Sequence, residues 1–126
     1  MEIPRKRPKY LNLFEIKLPL AGFASILHRI SGIGLFLMLP LLIWLLDLSL
    51  KSPDSYQTLQ AVIGHPLVKL VLIGLLWAFL HHFCMGIRIL LIDVHVGVAK
   101  QQARSSAIAV MAVSLLLTLI LGVQLW

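Results

Sequence analysis

Acidic side chains are scarce in this chain, and so is cysteine. Five Asp and Glu stand against eleven Lys and Arg in 126 residues, and Cys84 is the one cysteine. A lone thiol excludes an internal disulfide, a thiolate-held metal cluster and the Cys-x-x-Cys-His attachment of a c-type haem. It reads instead as a small buried apolar residue. The sequence also has no paired carboxylates, nucleophile triad or glycine-rich phosphate loop, which removes hydrolysis and phosphoryl transfer from consideration. The chemistry left open is movement of electrons and protons to a lipid-soluble acceptor.

Apolar residues are abundant: 60% of the chain is hydrophobic, 13% is charged and the mean hydropathy is +0.96. A soluble surface cannot be built from that composition. Three long apolar segments, at about 24–50, 67–94 and 106–126, each reach the roughly 20 residues needed to cross a bilayer. The third has no charged residue. The expected fold is an all-α membrane protein, a single anchor domain over 1–126 with three transmembrane helices and an N-terminal extension at 1–23.

A net charge of +6 does not point to nucleic acid, because the basic residues gather beside the spans. Arg5, Lys6, Arg7, Lys9 and Lys17 precede the first span, and Lys100 and Arg104 lie between the second and third, with Arg88 just inside. The other connection holds Lys51 and Asp54, with Lys69 just inside the second span. By the positive-inside rule the N-terminus is cytoplasmic and the C-terminus lies on the opposite, periplasmic side. The basic start lacks the apolar core of a secretory signal and the composition of a transit peptide, so a bacterial inner membrane is the expected location. Pro4 and Pro8 make that start irregular, and the mixed apolar and polar residues up to Leu18 suit an interfacial segment or a docking surface for a soluble partner.

The first span opens with Ser25, His28 and Arg29, which share one helical face at spacings of three and four. An isolated arginine there would snorkel to lipid headgroups, but the neighbouring hydroxyl and imidazole favour a site for an anion or polar headgroup. Gly32 and Gly34 allow close approach of a helix or a flat ring. Pro40 should bend the span, and Trp44 and Asp47 fit its outer end. Residues 51–55 form a turn, 56–64 a short surface helix, and His65 before Pro66 faces solvent.

Ionisable groups inside the second span carry the most information, since a polar side chain at membrane depth must face a bundle interior, a cavity or a cofactor. His82 falls on the order of 20 Å into this span. Gly86 lies one turn further on the same face, leaving room for a planar macrocycle, and Arg88 near the end could meet an anionic group. His81 points about 100 degrees away and is the less favoured ligand. Asp93 is placed to accept a bond from Arg88 or the next connection, and His95 falls in the interface. A b-type haem needs an axial imidazole, space for a flat ring and polar groups for its carboxylates. With one well-placed imidazole, a second axial ligand must come from another chain. The third span, with Ser114, Thr118 and a start rich in Ala107, Ala109 and Ala112, reads as scaffold.

Arg7-Pro8, the run Ser25-Ile26-Leu27-His28-Arg29-Ile30-Ser31-Gly32, and His82 followed by Gly86-Ile87-Arg88 and Asp93 together resemble the cytochrome b membrane-anchor subunit of succinate dehydrogenase. The likeness covers most of the chain, and the paired motifs S-x-x-H-R-x-S-G and H-x-x-x-G-I-R-x-x-x-x-D are specific. The resemblance implies that His82 is an axial ligand of haem b iron, the other ligand coming from a second membrane-anchor subunit. It further implies that Ser25 and Arg29 line a ubiquinone site near the iron-sulfur subunit and that His28, with Arg88, lies near the haem propionates. The complex would oxidise succinate on a flavoprotein subunit and feed the respiratory chain from the tricarboxylic acid cycle. The family pattern is broken where Ile89 stands in place of a histidine that often follows Gly-Ile-Arg, and Lys9 and His95 are also less usual. Two other readings remain open on sequence: a haem-free or menaquinone-linked structural anchor of a fumarate reductase, and an unrelated small transporter using His82 and Arg88 as a proton relay.

Overall fold

Long apolar runs with few breakers propagate as helix, and the breakers set the joints. The computed structural model describes residues 9, 10, 12 and 14–126. The expectations for Pro4, Arg5, Lys6, Arg7, Pro8, Leu11 and Leu13 fall outside the described residues. Four helices follow in order: α1 Leu20–Lys51, α2 Pro53–Gly64, α3 Pro66–Asp93 and α4 Lys100–Leu125. Three of them, α1, α3 and α4, are long and apolar enough to cross a membrane. Among the described residues there is no strand.

Two boundaries differ from the sequence expectation. Helix α1 begins at Leu20, directly after an extended Pro19, and α4 begins at Lys100. Apolar runs mark only the portion of a helix that matches the hydrocarbon, whereas hydrogen bonding continues into the polar zone. The 32 residues of α1 extend about 48 Å against a hydrocarbon core of about 30 Å. Pro40 lies inside α1, which stays helical through it.

Local chemistry explains the joints. Ser52 caps α2 reciprocally: the Ser55 N–H donates to Ser52 Oγ at 3.1 Å, and the Ser52 N–H donates to Ser55 Oγ at 2.9 Å. Pro53 then occupies the first helical turn, where a missing N–H costs nothing. His65 repeats the device for α3, its Nδ1 accepting from the Leu67 N–H at 3.2 Å ahead of Pro66. At the other end of the bundle, α3 stops in a Schellman turn. The Val96 N–H donates to Leu91 O at 2.8 Å and the His95 N–H to Ile92 O at 2.9 Å, with His95 at a φ of 65°. Gly97, at a φ of 76°, completes the reversal.

Helix α3 is central, packed against both α1 and α4, and α2 lies across the α1 and α3 ends. The interior is built from Ala24, Met85, Ala107 and Val110, with Ala21, Cys84 and Ile89 at its margin. Small residues set this close approach, since helix association in lipid relies on packing rather than on expulsion of water. Large side chains such as Phe36, Leu37, Ile43, Phe79 and Leu116 point outward, as expected where the solvent is hydrocarbon. Ser114, fully buried, donates to Met111 O at 3.1 Å and its own carbonyl accepts from Thr118 at 2.7 Å, so these two hydroxyls are satisfied within α4.

Candidate functional site

His82 leaves α3 toward α1 and meets it at a single turn. Its Nδ1 lies 3.1 Å from the His28 carbonyl oxygen and 3.2 Å from Ser31 Oγ, and Ser31 Oγ in turn donates to the same carbonyl at 2.7 Å. A carbonyl only accepts, so Nδ1 carries the proton, and in the neutral ring Nε2 keeps its lone pair. Nε2 has no hydrogen-bond partner among the described residues and is not enclosed.

The ring is held on further sides. The His28 imidazole stacks on it with centroids 4.1 Å apart and planes 16° from parallel. Gly32 closes the other edge, because a Cβ there would stand 2.9 Å from His82 Cε1 and 3.4 Å from Nδ1. Gly32 therefore admits an imidazole from the neighbouring helix. Gly86, by contrast, borders open space: a Cβ there would meet nothing within 4 Å. Packing within this chain makes no demand for a glycine at Gly86.

His81 also approaches α1, beside the Ala24 backbone rather than at Ser31 and Gly32. It is 0% exposed, stacks on Trp77 at 5.3 Å, and has both ring nitrogens enclosed without partners among the described residues. Trp77 Nε1 and His28 Nε2 are enclosed and unpartnered in the same way. Ser25 is half-buried and Arg29 exposed, and neither forms a side-chain hydrogen bond among the described residues.

Arg88 is placed differently from the sequence expectation. The guanidinium is 9% exposed and turned to α4: Nε donates to Ser106 Oγ at 2.9 Å, Nη2 to Ala103 O at 3.1 Å, and Nη1 approaches Met85 Sδ at 3.9 Å. His82 engages α1 while Arg88 engages α4, so the two do not converge on one face. Asp93 is exposed at the end of α3 and does not pair with Arg88. The roles of Ser31 and Trp77 were not singled out from sequence. Ser31 stood inside the motif, but only the crossing of α1 over α3 brings its hydroxyl to His82.

The arrangement fits an axial haem ligand by its own chemistry. An imidazole that donates Nδ1–H to a carbonyl is fixed in tautomer and orientation, with Nε2 available to a metal. The buried His28 Nε2 beside it calls for a hydrogen-bonding group that the described residues do not supply. Open space at Gly86, one turn along α3, leaves room for a flat ring.

Comparison with known proteins agrees in direction. Residues 4–121 match the family described as succinate dehydrogenase/fumarate reductase transmembrane subunit. The succinate dehydrogenase cytochrome b556 subunit of Coxiella burnetii is 36% identical over 122 residues, covering 96% of this chain and 98% of the relative. The subunit of the same name from Rickettsia felis is 34% identical over 122 residues, covering 97% and 95%. That from Paracoccus denitrificans is 32% identical over 114 residues, covering 90% and 88%.

Proposed function

Since this chain belongs to the succinate dehydrogenase/fumarate reductase transmembrane subunit family, we propose that it is the haem b-binding membrane anchor of a succinate:quinone oxidoreductase. The single observation that carries this reading is the Nδ1 bond of His82 to the His28 carbonyl and Ser31 hydroxyl, which leaves Nε2 as a ligand lone pair. His82 would hold the iron from one side, and a second membrane-anchor subunit would supply the other ligand. His28 would use its unpartnered Nε2 toward the haem carboxylates. Arg88, committed to Ser106 and Ala103, would serve by tying α3 to α4. Bound haem would supply a one-electron store between the two anchor subunits.

Ser25 and Arg29 lie one helical turn apart near the N-terminal end of α1, without partners among the described residues. In this reading Ser25 donates its hydroxyl hydrogen to a ubiquinone carbonyl, and Arg29 stabilises the negative charge that develops on that oxygen. Electrons arrive from a flavoprotein subunit through an iron-sulfur subunit docked at this end. Orientation follows the basic residues: the N-terminus in the cytoplasm of a bacterial cell, the C-terminus in the periplasm.

The test is a reduced-minus-oxidised spectrum of the purified complex. A b-type band lost in His82→Ala and retained in wild type supports the assignment. One observation favours a second reading: the His82 bonds to α1 also suit a plain interhelical tie, as in a haem-free or menaquinone-linked anchor of a fumarate reductase. A wild-type complex with only flavin and iron-sulfur absorbance decides for that alternative. The proton-relay transporter finds no support in the family match.

A further inference from the structure

Arg88 is a cation buried among neutral partners. It sits in α3 five residues before Asp93, so the guanidinium is rooted about 7.5 Å inside the helix end, near the depth where headgroups meet hydrocarbon. Its partners are a hydroxyl, a carbonyl and a thioether, and among the described residues no carboxylate lies within ion-pair distance. A guanidinium has five N–H donors, and these three contacts leave two unused. Burying a cation without an anion is costly, and the cost is relieved when a counter-charge binds.

Beside this guanidinium, α3 and α4 part to form a cleft of about 540 Å³. Ile87, Leu91, Ala109 and Val110 supply apolar walls, and Gln102 and Ser105 bring polar groups beside Arg88. Arg88 is the charged residue of this lining; Lys100 and Arg104, exposed in the first turns of α4, border a separate cleft with Pro19, Leu20 and Ala21. One guanidinium with unused donors at the head of an apolar groove, at interface depth, matches an amphiphile with one anionic end.

We propose that the α3–α4 cleft binds an anionic phospholipid, its phosphate over the Arg88 guanidinium and one acyl chain along Ile87, Leu91 and Ala109. The lipid supplies the counter-charge that the described residues do not and wedges against the two helices that Arg88 ties together. Arg is suited to this because its planar fork can hold two phosphate oxygens at once. Nothing in the inference requires haem, so it stands or falls apart from the reading of His82.

The intact complex, reconstituted in nanodiscs with equal phosphatidylcholine and phosphatidylglycerol and then released into detergent, would be analysed by native mass spectrometry for the lipids it retains. Wild type should keep phosphatidylglycerol over phosphatidylcholine on the order of tenfold, the size of one charge-assisted hydrogen bond. Ala109→Phe fills the groove and Ser105→Glu places a carboxylate at the rim. Both positions are exposed, and neither substitution touches the Arg88 bonds. Each should abolish the preference while the haem spectrum stays that of wild type. Arg88→Gln should abolish it as well. Equal retention of the two lipids by wild type overturns the proposal, as does an unchanged preference in both Ala109→Phe and Ser105→Glu. So does capture of the second anchor subunit, rather than lipid, by a photo-reactive side chain at Ala109.

Discussion

His82 and Gly32 meet side chain to backbone, with the ideal Cβ position of Gly32 standing 2.9 Å from His82 Cε1. Contact at that distance is closer than real Cβ atoms tolerate, so the two helices cross here because one of them has no side chain. Nδ1 of the same ring is bonded to the His28 carbonyl, and the ring has little freedom to retreat.

Gly32→Ala should therefore displace the imidazole rather than be absorbed. The expected loss of stability is about 1–3 kcal/mol, the usual cost of overpacking. Under the ligand role proposed for His82, the reduced b-type band of the assembled complex should shift or weaken, because Nε2 moves with the ring. Thermal unfolding and the reduced-minus-oxidised spectrum check the two halves of this expectation.

His81 offers the opposite case. It is fully enclosed, stacked on Trp77 and close to the Ala24 backbone, with neither nitrogen in a well-formed hydrogen bond among the described residues, so its polar atoms contribute little there. Removing both polar atoms with a ring of similar shape avoids the penalty of unmet hydrogen bonds. His81→Phe should leave the haem spectrum unchanged and the midpoint of unfolding equal or higher. A lost b-type band in His81→Phe would transfer the ligand role from His82 to its neighbour.

Arg29→Ala should separate two activities of the complex. Quinone reduction should fall by about two to three orders of magnitude, in line with removal of an electrostatic stabiliser. Succinate oxidation by a soluble dye, which bypasses the anchor, should stay near wild type. Parallel loss of both rates would take Arg29 out of the quinone site.

His95 holds a left-handed conformation at a φ of 65° to close α3. Side chains other than glycine pay roughly 1–2 kcal/mol for that region. His95 is exposed and forms no side-chain hydrogen bond among the described residues, so His95→Gly should raise the unfolding midpoint with activity intact. A lowered midpoint would show that the imidazole contributes more than its backbone costs.

Helix number and order were legible from sequence because apolar runs of membrane length have few other outcomes in lipid. The short helix after Pro53 and the exposed His65 were legible from turn chemistry, although the capping by His65 Nδ1 was not. The starts of α1 and α4 were misplaced, since hydropathy marks the hydrocarbon boundary and Lys100 to Ser105 are helical outside it. Ser25, His28 and Arg29 do lie on one stretch of α1, but spacing alone could not say that His28 would turn its ring onto His82. Arg88 shows the same gap. Its depth was readable from the chain, whereas its choice of α4 depended on Ala103 and Ser106 arriving from a distant segment.

Single residues, Ser52 and His65, are all that separate α1 from α2 and α2 from α3, and each is pinned by its own cap. That end of the molecule has no slack, so α1, α2 and α3 pivot together, like a bracket, when a neighbouring subunit leans on any one of them. At the opposite end six residues, 94–99, separate α3 from α4, so α4 alone is joined to the bundle by more than a single residue of chain.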